Sequence, residues 1–530
     1  MPGETRIEVA QIVTRFIAGA GGVALRGALN LDPDRYHVTI VTGQGGPLTD
    51  RAEAAGMRVV IEPSLVAPIS PQDDIKALRK LTSLCRSARF DVVHTHSAKA
   101  GTLGRIAAHR AKVPLIVHTY HGLPFHEFQS PVQRAAYVAV ERRLARITDA
   151  VLAIGSGVAT EALRRGLADP STLRTIAPVV EATTVLRTSE SRAAARAALG
   201  IDDATPVIGT VGRIDYQKAP EHLVAAMAAL RHRDAMAVWI GSGPRLDEVE
   251  ALVRAAGLGD RFLFAGERTN VAELLPAFDV FAMASRYEGL PCAVVEAMRC
   301  GVPVVATAVN SMPDLVIPGE SGILVPPGRP DLLAGALDGL LDDPSTADRL
   351  VRRGRELAGE TFDAARLAVV LDQVYSGGQS NLGGAVSISR RVDRTSPAAS
   401  PWLTLCATGT VEIDAREVRG AVVGQLPADT PVVLVDDRPF SRRRLRRLAD
   451  RSSVVIEREL IVLPTAGRPI ILVDDTEAAV RHFWTTIATV PPGLAFTALP
   501  AAAMLGVARL LPWRLTGAAA PGRALIGRQL

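Results

Sequence analysis

At 530 residues the chain exceeds what one hydrophobic core serves, so two or three domains are expected. Sixty Lys and Arg against 55 Asp and Glu leave a net charge of only +5, and no nucleic-acid-binding motif accompanies it, so nothing calls for a nucleic-acid partner. Four cysteines, Cys85, Cys292, Cys300 and Cys406, form no CxxC pair and no disulfide-like framework, which excludes a stapled secreted domain and fits a reducing cytosol.

Met1 to Arg6 lacks a signal-peptide pattern and leads into a predicted strand, Ile7 to Thr14. A glycine-rich turn, Ala18 to Gly22, follows, and then a helix from Val23. The turn is not GxGxxG, so by itself it says little. Tyr36 to Thr42, Asp91 to His94 and Leu115 to Thr119 read as further strands, the last after a helix rich in Ala and Arg. Strands alternating with helices predict a parallel sheet with crossovers.

Six of the ten histidines lie between His94 and His126, mostly near the ends of two predicted strands. A His-x-His pair such as His94 and His96 can ligate zinc. Asp91 and Glu127 stand nearby at no recognised ligand spacing, so histidines facing a cleft are the better reading and no metal is expected. His109 reads as an exposed helical residue.

In the second half, Val207 to Arg213 reads as a buried strand ending in Gly-Arg, with Lys218 before a helix that starts near Pro220. Two cations thus bracket a strand-to-helix loop, where open α/β sheets bind ligands. Arg offers a fixed fork of donors to phosphate oxygens and Lys a mobile point charge. Asp279 to Ala284 is a further strand, followed by a loop with Glu288 and a helix beginning at Pro291. Glu296 should lie about two turns into that helix. Between the glutamates the backbone N–H groups around Gly289, Leu290 and Cys292 meet a helix N-terminus, a seat for phosphate. Alone, each glutamate fits a surface position. With Arg213 and Lys218 they suggest a nucleotide-diphosphate-sugar site.

These residues resemble the retaining glycosyltransferases of family 4. Their Glu-x7-Glu signature is matched by Glu288 and Glu296, and their upstream Arg and Lys by Arg213 and Lys218. Gly266 to Val271, with Arg268, is similar to the family's loop around the nucleotide base, and Gly319 to Pro326 to the strand after the glutamate helix. The likeness runs from about residue 6 to 376 and is most specific in its second half. It implies the GT-B fold, two facing Rossmann-like α/β domains at 1–185 and 186–376. It also implies roles: Glu288 on the donor sugar hydroxyls, Glu296 on the ribose, Arg213 and Lys218 on the diphosphate. Gly21 and Gly22 would allow close backbone approach in the cleft, and His121, with His96 as second choice, would contact the donor sugar. The implied reaction is retaining and needs neither metal nor other cofactor, the leaving phosphate accepting the acceptor's proton.

The histidine segments resemble acceptor-side motifs of members that glycosylate polyprenyl-diphosphate-linked sugars. A nucleotide-sugar donor, UDP-linked by analogy with the family, and a saccharide or lipid-linked acceptor are the expected partners. Where many members carry Asn-Gly-Ile/Val-Asp, this chain has Ile176 to Glu181, which leaves a hinge or acceptor role of that loop in doubt. Residues 377–401 read as a linker. An extra α/β region, 402–530, carries no assignable motif. Strands are predicted at Pro431 to Val435, Ser453 to Leu463 and Pro469 to Val473, with strand-end Asp436-Asp437 and Asp474-Asp475. The arginine run Arg442 to Arg447 reads as helical. The apolar stretch Leu494 to Leu511 fits a buried helix or an interfacial helix on an anionic membrane. The expected location is cytoplasmic, at the inner face of the cell membrane. A non-catalytic scaffold of the same fold, recruiting partners through its extra domain, is the alternative.

Overall fold

Runs of Val, Ile and Ala such as Ile7–Val13 and Val207–Val211 suit strands buried on both faces of a parallel sheet, and the chain builds two such sheets. A computed structural model describes residues 6–376, except 18, 127, 170–171, 178, 181–184 and 363, together with the backbone of six strands between 386 and 529.

The first sheet has seven strands: β1 (Ile7–Val13), β2 (Tyr36–Thr42), β3 (Arg58–Ile61), β4 (Val92–His96), β5 (Leu115–Tyr120), β6 (Ala150–Ile154) and β7 (Leu173–Ile176). They are all parallel, in the order β3-β2-β1-β4-β5-β6-β7. The second has six: β8 (Val207–Val211), β9 (Met236–Ile240), β10 (Phe262–Gly266), β11 (Val280–Met283), β12 (Val304–Thr307) and β13 (Ile323–Val325). These are parallel in the order β10-β9-β8-β11-β12-β13. In each sheet the strand order reverses at one place, between β1 and β4 and between β8 and β11. Ligands of doubly wound sheets bind at the carboxyl ends of strands beside such a reversal. The glycine turn and His96 stand at the first switch point, Arg213 to Lys218 and Ser285 to Gly289 at the second.

The helix Ala364–Tyr375 follows the second sheet in sequence but packs on the first domain. Tyr36 Oη donates to Asp372 Oδ1 at 2.8 Å, and Leu371 fills the space beside Gly27. The first helix, Ala20–Leu29, begins at Ala20 rather than Val23, so Gly21 and Gly22 lie in its first turn. The helix Cys292–Cys300 has Pro291 as its N-cap, which makes Glu296 its fifth residue, little more than one turn in rather than two.

A third sheet follows: β14 (Val386–Ser387), β15 (Val411–Asp414), β16 (Pro431–Asp436), β17 (Val454–Thr465), β18 (Arg468–Asp474) and β19 (Gly522–Gln529). Its order is β14-β15-β16-β19-β17-β18, with β14, β15 and β16 parallel and the remaining pairs antiparallel. The three strands expected there are present, and Asp436 and Asp474 end two of them. The short β14 falls within the stretch read as a linker. The rest of that stretch, the arginine run Arg442 to Arg447 and the apolar stretch Leu494 to Leu511 lie outside the described residues. Among the described residues no helix is long and apolar enough to cross a membrane.

Candidate functional site

At the β8 end, the loop carrying the two cations is organised by Asp215. Its Oδ2 accepts from Arg213 Nε at 2.8 Å, and its Oδ1 from the Lys218 backbone N–H at 3.1 Å. Arg213 is held there with its side chain 60% exposed. The Lys218 stem crosses Gly212, where a Cβ would come within 3.0 Å of it, and its Nζ reaches Glu288 Oε1 at 2.7 Å. Glu288 is nearly buried, at 7% exposure, and further donors surround it. Ser285 Oγ donates to Oε1 at 2.6 Å and Gln217 Nε2 to Oε2 at 3.1 Å. The Glu288 backbone N–H is itself fixed on Asn310 Oδ1 at 2.9 Å. A buried carboxylate is tolerable only with such a set of donors.

Beyond Glu288 the chain enters the helix Cys292–Cys300, whose N-terminus has no side-chain cap, since Pro291 cannot supply one. Cys292 lies within the charge fields of Glu296, Lys218 and Arg26, and burial pushes its thiol up to about 11. Arg26 comes from the other domain, with its guanidinium 3.0 Å from where a Cβ on Gly22 would stand. Two sheets thus bring three cations, Arg26, Arg213 and Lys218, and an uncapped helix start to one cleft. That arrangement suits a multiply charged anion.

On the first domain, side-chain alternation puts His94 and His96 on one face of β4 and Thr95 on the other. His96 Nδ1 lies 2.8 Å from His121 Nε2, and His96 Nε2 is 2.5 Å from Gln11 Oε1. His94 bonds Tyr375 Oη through Nδ1 at 2.6 Å and Thr119 Oγ1 through Nε2 at 2.6 Å. Burial lowers His94 and His121 to about 3 and His96 well below its ordinary value, so all three rings are neutral near pH 7. His118 corrects the view of strand-end histidines as one cleft-facing set. It lies on the opposite face, bonded to Thr95 Oγ1 at 2.9 Å and packed against Gly101, which leaves it structural. His109 is exposed on its helix, as expected. Among the described residues no group of three or more His, Cys, Asp or Glu is arranged to hold a metal ion.

The two walls touch at Gly289. A Cβ there would stand 1.8 Å from the His121 carbonyl oxygen, so the contact requires glycine. Beside it, His126 stacks on Tyr287 with ring centroids 4.2 Å apart. On another flank, the Ser156 backbone N–H donates to Asp314 Oδ2 at 2.5 Å, so a carboxylate of the second domain meets the start of a first-domain helix.

The structure therefore gathers His121, Lys218, Glu288, Gly289, Leu290, Cys292 and Glu296 around one cleft, with Arg213 at its rim. Gly21 is buried against the Phe16 backbone, and Gly22 lies under Arg26, so each has a packing reason of its own to be small. Arg268 is exposed in the loop after β10, two strands away from Arg213. Sequence reasoning missed Asp215, Gln217, Ser285, Asn310 and Arg26. Asp215 and Gln217 lie inside the cationic loop, and Arg26 follows Gly22 by one helical turn; those spacings were the available signals.

Comparison with known proteins follows the same two halves. The family described as Glycosyl transferases group 1 matches residues 191–357, and the Glycosyl transferase 4-like domain matches residues 18–178. The UDP-Gal:alpha-D-GlcNAc-diphosphoundecaprenol alpha-1,3-galactosyltransferase of Escherichia coli is 28% identical over 345 residues, 64% of this chain and 89% of that protein. The D-inositol 3-phosphate glycosyltransferase of Xylanimonas cellulosilytica is 32% identical over 304 residues, 54% of this chain and 72% of that protein. Among solved structures, sucrose-phosphate synthase from Thermosynechococcus elongatus superposes with a TM-score of 0.61 at 26% identity, covering 70% of this chain and 99% of that one. HepE of Anabaena in complex with UDP and glucose gives 0.62 at 21% identity, covering 70% and 100%, and shares the two-domain fold.

Proposed function

The chain belongs to the group 1, family 4-like glycosyltransferases of GT-B fold, and from that premise we propose that it transfers a sugar, with retention of configuration and without a metal ion, from a UDP-sugar to a polyprenyl-diphosphate-linked saccharide. The observation that carries the reading is the Lys218–Glu288 pair, 2.7 Å apart, joining the loop after β8 to the loop after β11 whose Gly289 meets His121 across the cleft. A cation for the leaving diphosphate and an acid for the sugar hydroxyls are thereby next to each other. The lipid-linked acceptor is taken from the Escherichia coli relative, whose name specifies one.

In this mechanism, Arg213, Lys218 and the N–H groups at Gly289, Leu290 and Cys292 hold the diphosphate. They stabilise the charge that develops as the bond from the anomeric carbon to the phosphate oxygen breaks. Glu288 orients the sugar and Glu296 the ribose, while Arg268 lies towards the base. The first-turn backbone of Gly21 and Gly22 approaches the phosphate, with Gly22 leaving room for the Arg26 guanidinium. The departing phosphate oxygen takes the proton of the acceptor hydroxyl as that hydroxyl attacks from the same face. Residues 1–185 serve the acceptor, 186–376, apart from the helix Ala364–Tyr375 that packs on the first domain, the donor, and the region beyond 376, including 402–530, contacts the cytoplasmic face of the membrane. The scaffold alternative has no support, because the relatives named above are transferases.

The test is transfer from a panel of UDP- and GDP-sugars to lipid-linked acceptors in the presence of EDTA, with the anomeric configuration of the product read by NMR. An inverted product, or activity lost to EDTA and restored by a divalent cation, would overturn the mechanism. Loss of flotation with anionic vesicles on deletion of residues 494–530 is expected for the membrane contact, and unchanged flotation would reject it.

A further inference from the structure

Six side chains on the first domain form one hydrogen-bonded line with a single consistent direction. Gln11 decides it, because an amide donates only through nitrogen and accepts only through oxygen. Its Nε2 donates to Tyr375 Oη at 2.7 Å, so the phenol's own proton goes to His94 Nδ1 at 2.6 Å, and His94 Nε2–H donates to Thr119 Oγ1. On its other side, Gln11 Oε1 accepts from His96 Nε2–H at 2.5 Å. This leaves His96 Nδ1 as an acceptor, and it takes the Nε2–H of His121 at 2.8 Å. The line thus runs from His121 through His96, Gln11 and Tyr375 to His94 and Thr119. The rings lie tilted against one another along it, with His94 and His96 centroids 4.2 Å apart and His96 and His121 centroids 5.1 Å apart.

We propose that Gln11 and Tyr375 are positioning residues that hold His121 as the neutral Nε2–H tautomer, with a bare Nδ1 lone pair available to a hydroxyl of the bound sugar. The role of the lone pair rests on the transferase reading above; the tautomer does not. The placement of Tyr375 is what makes this unexpected from sequence. It is the last residue of the helix Ala364–Tyr375, 254 positions after His121, and that helix crosses back to the first domain to close the line. Gln11, His94 and His96 each have both polar side-chain atoms occupied within the line, whereas His121 spends one ring nitrogen on His96. The groups facing the rings are neutral or distant. His94 and Tyr375 lie on one side and His118 behind the sheet beside Arg105, while Glu288 stands across the cleft with Lys218 as its counter-ion. Burial keeps the rings from taking a second proton, which would reverse the line.

The experiment uses the full chain with 15N-labelled histidine, His121→Gln serving to assign the His121 ring signals. The expected wild-type pattern is Nε2–H at His121, His96 and His94, with no sugar added. Tyr375→Phe removes the phenol that anchors Gln11, and a mixed His121 tautomer is expected. In the transfer assay its kcat should fall about tenfold while the KM for the donor stays within about twofold. Gln11→Glu puts a carboxylate on His96, raises that ring's pKa, and lets protonated His96 donate to His121 Nε2. The His121 proton then moves to Nδ1, so the acid limb of kcat should rise by about one pH unit or more.

An Nδ1–H tautomer at His121 in the wild type would overturn the proposal. So would wild-type ring signals and an unshifted pH profile in Gln11→Glu. Should Tyr375→Phe fail to fold, the wild-type signals and Gln11→Glu decide. A chain with the expected tautomer but no sugar transfer would keep this inference and lose the proposed function. Sugar transfer with Nδ1–H would do the reverse.

Discussion

Replacing Lys218 with Ala should separate two jobs that one ammonium performs. In the folded protein its Nζ is 2.7 Å from Glu288 Oε1, with side-chain exposures of 17% and 5%. Removing one partner of a buried pair strands the other charge, at a cost of about 3–5 kcal/mol when burial is complete. Ser285 Oγ and Gln217 Nε2 remain on the carboxylate, so the lower end, about 3 kcal/mol, is expected. Turnover should also fall, by about 100- to 1,000-fold, the scale for deleting one preorganised donor at a developing oxyanion. The double variant Lys218→Ala/Glu288→Gln separates the effects. A neutral amide no longer needs the ammonium, so most of the stability should return while kcat stays low. Denaturant unfolding gives the first quantity and initial rates of transfer at saturating donor the second. Full transfer activity in Lys218→Ala would sink the phosphate role, and a double variant no more stable than the single one would refute the charge argument.

Gly289→Ala should force the two walls apart, since the new methyl would stand 1.8 Å from the His121 carbonyl oxygen; at least about 100-fold loss of kcat/KM is expected, with each sheet still folded by circular dichroism. Glu296→Ala should weaken donor binding about tenfold by calorimetry and leave kcat at saturation within about threefold, as a ground-state contact does. Stability should depend on pH through the buried histidines. His94 and His121 are lowered from 6.5 to about 3, so their contribution is fully present above pH 6.5 and is lost as pH falls towards 3, because the unfolded chain binds protons that the fold refuses. Guanidinium midpoints at pH 7 and pH 5 check this, and equal midpoints would refute it.

The half of the candidate site built on the second sheet was legible because its residues are close in sequence. Arg213 and Lys218 share a loop, and Glu288 and Glu296 share a turn and helix, so spacing carries geometry there. The strand alternation that put His94 and His96 on one face was also legible, as was the parallel-sheet architecture. What sequence could not supply were contacts between segments hundreds of residues apart. Nothing in the spacing of Gln11, His94 and Tyr375 indicates that they meet, because the meeting depends on the path of the final helix. Arg26 was missed for a related reason: a lone Arg in the last turn of a helix usually favours the helix dipole and little else. His118 was misjudged because its segment places it two residues before Tyr120 on the wrong face of β5.

The location of the histidine line bears on how the cleft works. Gln11, His94, His96, Thr119 and His121 belong to the first domain, and Tyr375 packs onto that domain from the end of the chain. The second domain meets the line itself where Gly289 abuts His121, and it meets the rest of the first domain at Tyr287 on His126, Phe128 beside Tyr216, and Ser311 and Asp314 at the start of the helix after β6. A rotation that opened the cleft would break these contacts and carry Lys218 and Glu288 away, but every hydrogen bond in the line would survive. The tautomer of His121 is therefore set before a donor arrives, whereas its distance from the leaving group is set only on closure. Preorganised groups of this kind stabilise a transition state without reorganising during the reaction, and their energetic cost is met during folding. Substitutions within the line should accordingly act on kcat in the closed complex, and substitutions at Gly289 or Asp314 on the closing equilibrium itself.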